Sequence, residues 1–326
     1  MDITAPQPLP APGARERPEA IKAIPVRHPW RWVFAVLVLA FAAVVVYTFA
    51  TAPLLSWGVV GKYLFHNLIL HGVLVTIELT IIAMVIGISL GVVLAVMRLS
   101  ANPVVASVSW FYIWFFRGTP VLVQIFFWFN IAAILPQIKL GIPFTGAQWV
   151  GDTNHIISPL LAAILGLGLN EGAYMAEIVR AGIISVDQGQ TEAAMALGMR
   201  RTQVLQRIVL PQAMKVIIPP TGNETISMLK TSSLAFITQF GELFRVSTEI
   251  SAFNFRIVEL LIVISFWYLL FTSVLTVGQY YVERYFARGS QRELPMTPWQ
   301  RLRRMMFTFH APPPEPASQI TVPRAH

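Results

Sequence analysis

The chain is 326 residues long, 55% hydrophobic and only 12% charged, with a mean hydropathy of +0.62, and these values exclude an ordinary soluble domain. It contains no cysteine, which excludes a disulfide framework and a thiolate metal site. A formal charge of +8 would suit a nucleic-acid binder, but Lys and Arg cluster beside apolar runs rather than on a polar module, so no nucleic-acid partner is expected.

Residues 1–31 are rich in Pro and Ala, carry scattered charges and show no periodicity, the composition of a disordered tail. Residues 32–50 form the first long apolar run. At about 1.5 Å per residue it just crosses a hydrocarbon core of roughly 30 Å. Ala50-Thr51-Ala52 resembles a signal-cleavage site. The run is nevertheless longer than a signal-peptide apolar region of roughly 7–15 residues, and Pro53 follows the candidate cut, so an uncleaved anchor is expected. The next run, 72–97, spans with tilt, and Gly87 and Gly91 would permit close helix packing. Residues 103–116 hold Trp110, Phe111, Tyr112, Trp114, Phe115 and Phe116, an aromatic load typical of a membrane interface. Arg117-Gly118-Thr119-Pro120 interrupts the apolarity, and Pro120 is placed to open a third span reaching about residue 135. A polar loop with Gly and Pro, 136–156, leads to a fourth span, 157–183. A fifth, 214–237, is expected to bend near Pro219 and Pro220. A connector with Glu242, Arg245, Glu249 and Arg256 precedes the last span, 257–282. The tail from 286 to 326 is basic and Pro-rich, and 299–307 reads equally as a short amphipathic surface helix or as disorder.

The spans alternate the chain across the bilayer, so Lys and Arg report its orientation. With the N-terminus inside, the cytoplasmic segments, Arg98 and Arg117 among them, hold 19 of these residues against 4 in the external loops. Both termini and the segment between the fourth and fifth spans are then cytoplasmic.

No Gly-x4-Gly-Lys-Ser/Thr phosphate loop occurs, and Gly61-Lys62 is followed by Tyr63. No His-Glu-x-x-His is present, and the six histidines lack metal-ligand spacing, so no catalytic or metal residues are assigned. Ionisable residues inside the spans are costly and are therefore candidates for the solute path: Glu78, Glu171, Glu224 and Lys230, with Gln124, Tyr174 and Asn223 as polar companions. Glu177 and Arg180, three apart, are expected to pair on one helix face. Glu171 and Tyr174 share a face. Gly166, Gly168 and Gly172 either expose backbone to a cavity or permit close packing of a neighbouring helix.

One polar island stands out. Asp187 and Gln190 have the spacing of a capping box, Ala193, Ala194 and Ala196 favour helix, and Gly198 tolerates the positive φ of a helix terminus. A second helical run, 202–213, follows. The unit is a short helix, a turn and a second helix, suited to a partner's groove. Glu192-Ala193-Ala194, three residues, Gly198, nine residues and then Ile208-Val209-Leu210-Pro211 resembles the signature loop of the membrane-spanning subunits of bacterial ABC importers. Residues 116–124, 173–183 and 229–234 are similar to the polar amino acid branch of those permeases, and the resemblance covers roughly 66–285.

The resemblance implies an all-α membrane protein with a five-helix core, to which the 32–50 anchor adds a sixth span. It implies a permease subunit for a polar amino acid in the bacterial inner membrane, with no ATPase of its own. Two ATP-binding subunits would hold ATP and magnesium. A second permease copy or paralogue and a periplasmic or surface-anchored solute-binding protein would complete the importer, and lipid would surround it. The coupling loop, 187–213, would present Gln188, Gly189, Glu192, Ala193, Ala194, Gly198, Ile208, Leu210 and Pro211 to the motor. The excess of intramembrane carboxylates over Lys230 favours a cationic solute. Rival readings are an ion-coupled carrier using Glu78, Glu171 or Glu224, or a membrane enzyme or scaffold. Neither needs a docking loop of this spacing.

Overall fold

A computed structural model of the protein describes residues 29–141, 148–286 and 299–300. The expected N-terminal tail up to residue 28, and the C-terminal tail apart from residues 286 and 299–300, lie outside the described residues. Two units are distinguished. The first holds α1, Pro29–Ala50, a helix whose described side chains are exposed almost throughout and whose apolarity suits a lipid environment.

The second unit is built of helices in chain order: α2 (Trp57–Leu64), α3 (Asn67–Arg98), α4 (Pro103–Gly118), α5 (Val121–Phe129), the single turn α6 (Thr153–Ile156), α7 (Pro159–Ile184), α8 (Gln188–Ala196), α9 (Arg201–Val204), α10 (Leu210–Thr231), α11 (Leu243–Asn254) and α12 (Ile257–Phe286). Polar caps start many of them. Asn102 accepts from the Val104 N–H and Ser158 from the Leu161 N–H, each followed by Pro at the first helical position, where the missing N–H costs nothing. Glu242 accepts from the N–H groups of Phe244 and Arg245 to start α11.

One segment expected as loop, 136–156, carries two short strands within the mostly helical fold. Between α5 and α6, β1 (Gln137–Gly141) and β2 (Gln148–Asp152) pair antiparallel, from Gln137 opposite Asp152 to Gly141 opposite Gln148. The loop reading overlooked the alternation of Gln137, Ile138, Lys139 and Leu140, which has the two-residue period of a strand.

The core runs along α3 and α7, whose contact is the most extensive between any two elements. Leu79, Ala83 and Met84 of α3 pack with Ile125 of α5, Ala163 and Leu167 of α7, and Met228 of α10. A second cluster joins α3 to α11 and α12 through Ile69, Val73, Leu243 and Val263. Gly87 and Gly91 make the α3–α7 contact possible, because a Cβ on either would lie 2.4 Å from Glu171 Cγ or Met175 Cβ. Gly166, Gly168 and Gly172 likewise face Ile125, Ile86 and Leu90, so these glycines serve close packing and do not open backbone to a cavity.

One helix departs from expectation. Residues 103–116 do not form a separate interfacial segment. They belong to α4, which climbs beside α3 and α7: Ser109 donates to the Leu94 carbonyl, and Tyr112 to that of Leu169. Pro219 and Pro220, where a bend is expected, both lie inside α10. A distinct irregularity lies earlier, in a π turn at Leu205–Val209 between α9 and α10. Pro211 has no N–H for the Arg207 carbonyl, and the helix accommodates this by widening.

Three described helical segments are long and apolar enough to cross a membrane, Trp32–Ala50, Asn67–Arg98 and Ile257–Phe286. Helices α7 and α10, of 26 and 22 residues, reach the required length but are interrupted by polar groups such as Asn170, Glu171, Glu224 and Lys230.

Gly91→Ala would place its methyl group 2.4 Å from Met175 Cβ and 2.9 Å from the Ala176 nitrogen, forcing α3 and α7 apart. The expected loss is about 1–3 kcal/mol, read as a lower melting temperature in detergent. Gly278→Ala meets nothing within 4 Å and should hold or raise that temperature.

Candidate functional site

A cavity of about 540 Å³ opens where α4 meets α5. Arg117, Gly118, Thr119, Pro120 and Val121 form one wall. Asn170, Glu171 and Tyr174 of α7 form another, and Glu224, Ser227, Met228 and Thr231 of α10 close the third.

Pro120 creates the break. The Phe116 carbonyl in the last turn of α4 would normally bond to the N–H of residue 120, which proline lacks. Two side-chain amides replace it: Gln124 Nε2 donates at 2.9 Å and Asn170 Nδ2 at 2.8 Å. Gln124 Nε2 also lies 3.1 Å from the Thr119 carbonyl and 2.7 Å from Thr119 Oγ1. Phe116 is thus level with Asn170, roughly 15 Å along α7 from its start. Arg117 therefore projects at mid-depth of the bundle, whereas the charge count assigned it to a loop at a helix end. Its guanidinium sits 5.1 Å from the Tyr174 ring centroid, within cation–π range.

Two carboxylates line the same cavity. Glu171 is 4% exposed, packed on Gly87, and its Oε1 has no hydrogen-bond partner. Glu224 is half-buried on the opposite wall. Glu177 does not join them, because Arg180 holds it at 2.7 Å, as the three-residue spacing predicts.

The cavity gathers Glu171, Tyr174 and Glu224 from the expected path residues and leaves four others out. Glu78, Asn223 and Lys230 are exposed and off its wall, and Lys230 makes no ion pair among the described residues. Gln124 is buried behind the joint, where its amide is spent on backbone. Sequence reasoning did not assign Arg117, Thr119, Asn170, Ser227 or Thr231 to the path. A signal existed for the last two: Glu224, Ser227 and Thr231 repeat at i, i+3 and i+7, a polar stripe on one face of α10. No metal-binding group of three His, Asp or Glu occurs among the described residues.

The polar island folds as a short helix and turn. Asp187 caps α8 by accepting from the Gly189 N–H at 2.7 Å. The reciprocal half of the expected capping box does not form: Gln190 Oε1 accepts instead from Gln212 Nε2 at 2.6 Å, pinning α8 to α10. Ala194 is buried, while Glu192, Ala193 and Leu197 are exposed. Gly198 adopts φ +81°, the left-handed terminus expected of it. Ile208 lies in the π turn, and Leu210 and Pro211 begin α10.

Residues 87–288 match the family described as binding-protein-dependent transport system inner membrane component. The chain is 46% identical over 285 residues to the arginine transport system permease protein ArgU of Corynebacterium glutamicum, covering 87% of this chain and 89% of that protein. It is 35% identical to the L-cystine transport system permease protein TcyB of Bacillus subtilis, over 71% of this chain and 91% of that one. A crystal structure of an amino acid ABC transporter with histidines superposes with a TM-score of 0.58 at 33% identity, covering 67% of this chain and 94% of that chain. The fold is shared with the MetNI methionine ABC transporter at 18% identity, with a TM-score of 0.51 over 68% of this chain and 97% of that one. The chain therefore belongs to the inner membrane components of binding-protein-dependent transport systems. Within them it is an amino acid ABC transporter permease.

A buried carboxylate with an unsatisfied oxygen and no ion pair destabilises the protein that carries it. Glu171→Gln should therefore raise the melting temperature of the solute-free protein in detergent, by an amount corresponding to about 1–3 kcal/mol. A fall would show instead that Glu171 holds the packing.

Proposed function

We propose that the chain forms the path through which an ATP-driven importer passes a polar, cationic amino acid. The observation that carries this reading is the charge arrangement of the cavity, with Arg117 on one wall and Glu171 and Glu224 on the others. An amino acid offers a carboxylate, which suits Arg117 and the first turn of α5. Its ammonium group and a cationic side chain suit the two acids. An arginine permease among the similar proteins and a transporter structure with histidines support the same class of solute.

In this reading α3, the broken pair α4 and α5, α7, α10 and α12 are the five spans of the permease core over 66–285, and α1 is the sixth. Both termini face the cytoplasm, as does the loop 187–213. Residues Gln188, Gly189, Glu192, Ala193 and Ala194 on α8, the turn at Gly198, and Ile208, Leu210 and Pro211 dock that loop onto an ATP-binding subunit. Two such subunits, holding ATP and magnesium, act on this permease and on a second copy or paralogue, while an external solute-binding protein delivers the cargo. Closure of the motors moves α8, and the pinned α10 carries that movement to the cavity wall, giving alternating access around a mid-membrane site.

Two measurements test this. Glu171→Gln should shift the preference for arginine or lysine over glutamine, read by competition for uptake in cells carrying the complete importer, while an unchanged profile removes Glu171 from the path. Gly198→Leu forces a β-carbon into left-handed backbone at a cost of about 1–2 kcal/mol. Both uptake and co-purification of the ATP-binding subunit should fall. Intact association with normal uptake would count against the docking role.

A further inference from the structure

The joint between α4 and α5 presents a problem that the chain solves with unusual economy. Phe116 O loses its helical donor to Pro120, and Thr119 O lies beyond the end of α4. One buried side chain, Gln124, gathers Phe116 O, Thr119 O and Thr119 Oγ1 on a single nitrogen. Asn170, one residue before Glu171, supplies a second donor to Phe116 O from the facing helix. Thr119 completes the arrangement by donating its hydroxyl to the Phe115 carbonyl at 2.9 Å.

Gln124 is not polar filler. It is 6% exposed, and its Oε1 is buried with no partner. A leucine or methionine would fill that volume without an orphaned acceptor, so the side chain's own packing does not explain its presence. Its nitrogen does, and everything that nitrogen touches belongs to the joint. The residue next to Phe116 is Arg117, whose guanidinium rests on Tyr174 in the cavity.

We propose that Gln124 and Asn170 are positioning residues for solute capture: their amides clamp the carbonyl that Pro120 orphans, and so hold Arg117 in the geometry that receives an amino acid carboxylate. The inference rests on the cavity being the solute site. Gln124 acts wholly through the joint, because it is absent from the cavity wall. Asn170 ties the joint to α7, so the distance from Arg117 to Glu171 is set by that bond and by two residues on either side of it. The clamp therefore determines both where a carboxylate is held and how far away a cationic group must reach.

The test is equilibrium binding of labelled L-arginine and L-histidine to the purified complex of permease and ATP-binding subunit, without the solute-binding protein. Gln124→Met keeps the length of the side chain and removes its donors. It should weaken binding about tenfold, the consequence of losing one well-placed polar contact, while the ATP-binding subunit still co-purifies. Arg117→Ala should weaken binding as well, and the double variant should be no weaker than Arg117→Ala alone, because both changes disable the same contact. Normal binding by Gln124→Met beside weakened binding by Arg117→Ala would reduce the clamp to scaffolding and leave the cavity reading intact. Additive losses in the double variant would overturn the clamp in the same way. Normal binding by Arg117→Ala, or no binding of either amino acid to the unsubstituted complex, would remove the solute site and the clamp together. Should Gln124→Met fail to assemble, Gln124→Asn, polar but one methylene too short to reach Phe116 O, is measured by the same criteria.

Discussion

Helices surrounded by lipid gain little by hiding apolar side chains from it, so they associate where backbones come close enough for dense contact. In this chain that approach is the seam between α3 and α7. Gly87 receives the stem of Glu171 and Gly91 that of Met175. The seam fixes more than two helices. It sets the depth at which Glu171 is buried, and it supplies the Leu94 and Leu169 carbonyls to which Ser109 and Tyr112 of α4 are fastened. Helix α11 is referred to the same scaffold through Thr76, whose Oγ1 accepts from the Leu243 N–H at 3.0 Å. Larger residues at 87 and 91 would move all of these together.

Against that frame, the break between α4 and α5 is an exception that membrane physics permits only under conditions. Backbone that leaves the helix inside a bilayer must have its polar groups satisfied by protein or must line a polar cavity. Here both conditions hold. Gln124 and Asn170 supply donors to the broken end, and Gly118, Thr119 and Pro120 line the space beside Arg117. The cost of interrupting a helix and the existence of a charged site are thus one fact: without the cavity the break would be unsupported, and without the break Arg117 would not project into the interior.

Much of this was legible in the sequence, for reasons that differ by element. Long apolar runs give α3, α7 and α12 to within about five residues, because length and hydropathy are local properties. Gly198 is equally local, its left-handed φ being the conformation that the residue favours. The upright placement of α4 was not legible. Its aromatic residues suit an interface and a helix surface alike, and only the long-range bonds of Tyr112 and of the Phe116 carbonyl decide between them. Lys230 and Glu78 resembled path residues because an intramembrane charge is costly in any single-chain reading. Which face of the helix carries it depends on neighbours that the sequence does not specify. The paired strands at 137–141 and 148–152 give a weak signal because five-residue strands among glycines and prolines show little periodicity.

The same reasoning connects the cytoplasmic loop of the proposed importer to its cavity. Helix α8 is held to the start of α10 by Gln190 and Gln212, and α10 then runs without interruption to Glu224, Ser227 and Thr231 on the cavity wall. From Pro211 to Glu224 the rise is about 20 Å. Over that length α10 is braced by Ile217 against α7 and by Gln279 of α12, which crosses Gly222 and donates to the Pro219 carbonyl at 2.7 Å. In the proposed importer, a helix braced in this way would carry a displacement of α8 toward the cavity wall. The π turn at Leu205–Val209 lies between α9 and α10, on the N-terminal side of the bond between Gln190 and Gln212. In the proposed importer, a displacement of α8 would thus pass to α10 through the bond between Gln190 and Gln212 rather than through the π turn.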